Sequence, residues 1–290
     1  MQPSTFSIVA ADTATGEVGV AVQSKFPSVG AVVPFVRAGA GAIATQAFAN
    51  TAYGPKALDL LGRGTPPDEV ARELTAGDDG RDDRQFGIVG AGGRSTTFTG
   101  SRCISWAGGI AGDGFAAQGN CLASAAVVDA LASTFRATEG HLADRLVASL
   151  RAAQAQGGDK RGQQSAALII EKPRGGYGGF NDRYVDLRVD DHATPIEELA
   201  RLLELHKLYF FAAEPEDLIE IDATLGAGLV RELSRVGALD GSERGYDAVA
   251  KKALVAFMHV ENLENRVRAD GRIDRQTLDY LRGAPSKLQA

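Results

Sequence analysis

The sequence is poor in the residue types that usually carry metals, cofactors and cross-links. Its 290 residues contain two cysteines (Cys103 and Cys121), two methionines, one tryptophan and four histidines. Two cysteines are too few for a disulfide framework and lack the four-ligand spacing of a zinc site, so two reduced thiols in a core are the simpler reading. His141, His192, His206 and His259 are scattered, and no HExxH or Ser-His-Asp spacing links them. No cofactor and no metal is therefore expected. Positive charge is also in deficit: 31 Lys and Arg face 37 Asp and Glu, a balance of −6, which argues against a grip on nucleic acid. Long apolar runs are missing too. The longest uncharged stretch, Ala38 to Pro55, holds three glycines and five polar residues, well short of the roughly 18 apolar positions a membrane span needs, so no membrane partner is expected. The first basic residue is Lys25, so the positive start of a secretory signal is lacking and a cytoplasmic location is expected.

What the chain has instead is glycine, 35 in all, of which 28 precede position 210. From Phe6 to Gln46 the pattern is strand-like, FSIVAA, EVGVAV, AVVPFV and AIATQ, with β-branched residues between Gly-rich breaks. The period switches at Tyr53, where Ala57, Leu58, Leu60 and Leu61 mark one face of a helix. Thr65 is the expected N-cap of a second helix, with Pro66 at its first position. Strands are expected again at 85–89, 95–99, 105–110 and 115–118, then helices over 123–138 and 141–156, then strands at 165–171 and 184–189. Hairpins rather than βαβ crossovers imply two antiparallel sheets, and the two helix pairs supply their covers. The expected fold is α+β, a four-layer α-β-β-α sandwich over residues 1–212. Thr194-Pro195-Ile196-Glu197 reads as a capping box opening a helix through Phe210. Beyond a break at Ala212 to Pro215, residues 213–290 read as a small all-α domain with helices over 222–236, 245–258 and 274–282.

Several chemical motifs carry little. Gly175-Gly176-Tyr177-Gly178-Gly179 lacks the Lys-Ser/Thr and strand-to-helix context of a phosphate loop and reads as a flexible turn or a pocket rim. Asp190, Asp191 and His192 read as a solvated strand end rather than a cation site. Thr5, at the head of the first strand, is different in kind. A threonine hydroxyl is a weak nucleophile, but an N-terminal threonine carries its own base in the α-amine, with pKa about 8. A β-branched residue starting a strand is the plainer role for it.

The blocks TFSIVAADTATGEVGVAVQSKFPSVGAVVP, GAIATQAFANTAYGP, AAQGN, GGDKRGQQSAALI and GGYGGFNDRYVDLRVDDH resemble, in order, the uncharacterised bacterial family called domain of unknown function 1028. That family in turn resembles the N-terminal-nucleophile (Ntn) hydrolases, proteasome β-subunits among them. The tail, with GALDG at 237–241 and VENLENR at 260–266, is similar to a peptidoglycan-binding-like domain. The resemblance implies Thr5 as nucleophile and Gln46 and Ala47 as the segment whose backbone N–H groups line an oxyanion hole. It also implies that Asp159 and Ser165 hold the nucleophile's amine. Lys25, beside Ser24, is the nearest cation by sequence, although the proteasome lysine lies in the next strand, where this chain has none. Met1-Gln2-Pro3-Ser4 precede Thr5, so a free Thr5 amine requires cleavage after Ser4. Two functions follow as expectations: an amide-bond hydrolase acting on a small-molecule or peptide-like substrate, or a non-catalytic binder of a small metabolite. The tail is expected to serve as an interaction module, giving a homo-oligomer, most simply a dimer.

Overall fold

Residues with apolar side chains on both faces of a strand need packing partners on both sides, and the first hairpin shows this most clearly. β1 (Thr5–Asp12) and β2 (Glu17–Ser24) are buried along almost their whole length, which is why FSIVAA is apolar on both faces except at Ser7. The computed structural model describes residues 5–241 and 245–286. The chain continues through β3 (Pro34–Arg37), β4 (Gly41–Ala47), α1 (Tyr53–Gly62), α2 (Pro67–Ala76), β5 (Arg84–Gly90) and β6 (Ser95–Thr99). Next come β7 (Gly108–Gly112), β8 (Phe115–Asn120), α3 (Ala126–Ala137), α4 (Leu142–Ala155), β9 (Ser165–Glu171), β10 (Arg183–Val189) and α5 (Pro195–Phe210). The protein is α+β, and its two large sheets are antiparallel throughout. One has the order β10-β9-β2-β1-β8-β7, the other β3-β4-β5-β6.

Side-chain alternation assigns each face its partner. Val9, Ala11, Val18, Val20 and Val22 from one sheet share a core with Ala42, Ala44 and Val89 from the other. On the far face of the smaller sheet, Ile43, Phe86 and Ile88 pack with Tyr53, Ala57, Leu58, Leu61, Val70 and Leu74 of α1 and α2. On the far face of the larger sheet, Phe115 meets Phe135 of α3 at a ring separation of 5.2 Å. α4 lies so close to the same sheet that a Cβ at Gly19 would stand 3.3 Å from Leu146 Cδ1.

Local details depart from expectation where turn chemistry outweighs periodicity. α2 starts one residue later than expected: Pro66 is its N-cap and Pro67 its first residue, and the helix has no side-chain cap, so Thr65 does not serve as one. Ser105 to Ala107 belong to the irregular crossing from β6 to β7, which joins the smaller sheet to the larger.

The chain divides into two units, Met1–Leu203 and Glu204–Ala290, and this division lies inside α5 rather than at the break after Ala212. The second unit holds β11 (Leu218–Glu220), α6 (Ala223–Arg235), α7 (Ala248–Val260), β12 (Arg272–Asp274) and α8 (Arg275–Gly283). It is not all-α: β11 and β12 pair antiparallel, Ile219 opposite Ile273. Three-residue strands are too short to show a period of two, and their pairing is far apart in sequence. Asp222, Asp247 and Asp274 cap the three helices by accepting from backbone N–H groups in the first turn. Leu229, Leu233, Leu254, Phe257, Leu278 and Leu281 fill the core between them.

Candidate functional site

The register of the larger sheet sets Thr5 opposite Ser24 on one side and Asn120 on the other. Thr5, Ser7, Val9 and Ala11 share the face turned toward the smaller sheet. Along that face the interior changes from apolar at the Ala11 end to polar at the Thr5 end. The Thr5 and Ser24 hydroxyls are hydrogen-bonded at 3.1 Å, and both residues are fully buried.

Behind them lies a chain of buried amides linking the two sheets. Ser7 Oγ donates to Gln46 Oε1 at 2.6 Å and accepts from Gln118 Nε2 at 2.6 Å. Gln46 Nε2 donates to Gln85 Oε1 at 2.9 Å and to the Thr5 carbonyl at 3.3 Å. Gln85 Oε1 also accepts from Asn120 Nδ2 at 2.9 Å, while Gln85 Nε2 donates to the Gly119 carbonyl at 2.8 Å. Buried amides hold a fixed geometry only when they are paired, because each unpaired donor or acceptor costs desolvation. The network therefore sets where the Thr5 backbone sits. The family resemblance assigns no role to Ser7, Gln85, Gln118 or Asn120, although Ser7, Gln118 and Asn120 lie within its blocks. Their signal is faint but present: one or two uncharged polar residues near the Thr5 end of β1, β4, β5 and β8, in phase with the inward-facing alanines and valines.

The other expected residues are placed as follows. Gln46 and Ala47 are the last two residues of β4, and Ala47 has a left-handed φ of 62°. Asp159 is buried and takes a 2.8 Å ion pair from Arg161, and its carboxylate also accepts from the Lys25 backbone N–H at 3.2 Å. The Lys25 ammonium donates to the Gln163 carbonyl at 3.2 Å. Ser165 Oγ donates to the Phe26 carbonyl and accepts from the Val29 N–H, bracing the turn after Lys25. The structure thus gathers Thr5, Ser24 and Gln46 directly, and places Lys25 and Asp159 in the adjoining loops and Ser165 at the head of β9, opposite Ser24, each with backbone contacts of its own. Residues 1–4, and with them the expected cleavage point after Ser4, lie outside the described residues. Cys121 also has a positive φ, 53°, immediately after Asn120. Such conformations cost roughly 1–2 kcal/mol for residues with a side chain, and two of them flank the Thr5 end.

The weaker candidates stay apart from this centre. Burial pushes the Cys103 thiol up, away from a reactive thiolate. The glycine loop forms the tip between β9 and β10, with Tyr177 and Phe180 exposed. Asp191 accepts from Gln164 Nε2 at 3.1 Å, and the His192 ring nitrogen accepts from the Thr194 N–H at 3.1 Å, so both tie down a strand end. Among the described residues no cluster of three His, Cys, Asp or Glu forms, and no helix is long and apolar enough to cross a membrane.

Comparison with known proteins matches residues 5–199 to the family of unknown function DUF1028. The chain belongs to this family. The crystal structure of a Silicibacter pomeroyi protein assigned to DUF1028 is similar at 30% identity and a TM-score of 0.65, covering 72% of this chain and 91% of that one. Residues 209–281 match a family described as "Putative peptidoglycan binding domain". No curated protein matches the chain. In this DUF1028 protein the family match begins at Thr5 itself.

Proposed function

We propose that the protein is an amide-bond hydrolase of the Ntn type, built on a four-layer α-β-β-α sandwich, with Thr5 as its nucleophile. The observation that carries this reading is the placement of the Thr5 hydroxyl. It sits at the head of β1, 3.1 Å from the Ser24 hydroxyl, with its own carbonyl fixed by Gln46. Cleavage after Ser4 would give Thr5 a free amine. That amine takes the hydroxyl proton as Oγ1 attacks the substrate carbonyl, the C–N bond breaks, and the departing amine carries the proton away. Water then cleaves the resulting ester and restores the hydroxyl. The strained backbone at Ala47 supports an oxyanion role there, since preorganised N–H donors act only if their direction is fixed in advance. Lys25, Asp159 and Ser165 act at one remove, holding the loops that border Thr5.

A second reading, a non-catalytic metabolite pocket on the same scaffold, is favoured by the complete burial of Thr5 and by the engagement of Asp159 with Arg161. Intact mass and N-terminal sequencing of the purified protein separate the two. The hydrolase reading expects a chain starting at Thr5, and a Thr5→Ala chain that keeps Met1 through Ser4 and has no activity. An active preparation still carrying Met1 would sink it.

A further inference from the structure

We propose that Phe48, Ile104 and Trp106 form an apolar surface that binds the acyl side of the substrate, so that the amide cleaved carries an aliphatic or aromatic group next to its carbonyl. This rests on the reading of Thr5 as nucleophile.

Exposed large apolar side chains are uncommon in the first unit, and two of them converge on the Thr5 end: Phe48 is 52% and Ile104 40% exposed. Their positions follow from backbone hydrogen bonds. Phe48 comes directly after Ala47, and its N–H donates to the Asp83 carbonyl at 3.1 Å. The Arg84 guanidinium donates to the Phe48 carbonyl at 2.7 Å and lies over one face of its ring, 5.1 Å from the centroid. From the other side, the Gly100 N–H donates to the Arg84 carbonyl, and the Cys103 thiol to the same carbonyl, which carries the Gly100 to Ala107 segment to the same edge. That segment is then stitched to the end of β8: Cys121 donates to the Ile104 carbonyl and Leu122 to the Trp106 carbonyl. Lys160 Nζ donates to the Ser105 carbonyl at 2.8 Å. Since Asn120 is the register partner of Thr5, Ile104 and Trp106 flank one side of the nucleophile and Phe48 flanks the other, past Ala47.

The main chain of these segments is held on every side while the apolar side chains of Phe48 and Ile104 are left to solvent. Segments that are fixed yet present apolar groups are suited to binding. In the proposed reaction the acyl group stays bonded to Thr5 through both steps, whereas the amine leaves after the first. A rigid apolar surface beside the nucleophile and the oxyanion segment therefore matches the acyl group.

The test uses the full wild-type chain with two probes, N-acetyl-phenylalaninamide and N-acetyl-aspartamide. Binding is read by saturation-transfer NMR and turnover by ammonia release. The expected result is binding of the phenylalanine amide at least about tenfold tighter, the usual scale of apolar discrimination. Phe48→Ser and Ile104→Ser each weaken that binding, and raise KM several-fold with kcat kept, while leaving the aspartate amide unaffected. Equal binding of the two amides, binding of neither, or insensitivity to both substitutions overturns the proposal. If the apolar preference is found but neither amide releases ammonia, the nucleophile reading falls and the binding surface stands. If ammonia is released from both with equal KM, the reverse holds.

Discussion

At the scale of single residues, the site depends on how closely the two sheets approach. Gly87 faces the amide of Gln118, and a Cβ there would stand 1.9 Å from Gln118 Oε1 and 2.5 Å from its Cδ. Gln118 is fully buried and held to Ser7, so it has no solvent-facing rotamer to retreat into. Gly87→Ala should therefore destabilise the protein by about 1–3 kcal/mol, the usual cost of overpacking, and should disturb the Ser7-Gln46-Gln85 chain with it. Chemical denaturation measures the first effect, and cleavage before Thr5, if it occurs in the wild type, reads the second. An unchanged denaturation midpoint would show that Gln118 moves freely. The same residues explain what was hard to read. The family resemblance points to Gln46, but Gln85 and Gln118 stand 39 and 72 positions away from it in the sequence and share with it only a strand phase.

At the scale of elements, the turn after β4 is anchored by an ion pair that links α1, the turn after α2 and β5. Arg84 Nε meets Asp78 Oδ2 at 2.9 Å, and the Tyr53 hydroxyl donates to the same oxygen at 2.6 Å. The Arg84 guanidinium, followed by the Tyr53 hydroxyl, holds the Asp78 carboxyl well below the usual carboxylate range. Burial, reinforced by Asp78, pushes the Tyr53 phenol up. Because the folded-state pKa of Asp78 is depressed, its contribution is present above the ordinary carboxylate pKa of about 4 and is lost as the pH falls further. Asp78→Asn should cost about 2 kcal/mol at pH 7, in the range of hydrogen bonds to charged groups. The difference between variant and wild type should narrow steadily below pH about 4. Urea titrations at pH 7 and pH 3 test this; a gap that widens toward low pH would show the sign to be wrong. Since Arg84 also holds the Phe48 carbonyl, the variant should loosen the segment after Ala47 as well.

At the scale of the whole molecule, each unit has its own core, and each core is expected to fail on its own terms. In the second unit Arg266 is buried, paired with Asp274 at 3.1 Å and donating to the carbonyls of Lys207 and Leu208 at the end of α5. Asp274 also caps α8 through the Thr277 N–H. Removing one partner of a buried pair leaves an uncompensated charge and costs about 3–5 kcal/mol. In calorimetry, Asp274→Ala should lower the transition of the second unit and leave that of the first in place; a common shift of both would show that they unfold together. The sequence by itself determined the α+β class, the antiparallel hairpins, the positions of all eight described α-helices to within a few residues, and the family, because these rest on local periodicity, turn chemistry and ordered motifs. It did not determine the β11 and β12 pairing, the buried amide chain, or which partners Lys25, Asp159 and Ser165 take. Apart from the Asp159–Arg161 pair, whose partners are two residues apart, those were decided by tertiary structure, since they depend on groups far apart in sequence whose meeting is set by sheet register and by the cost of leaving buried polar groups unpaired.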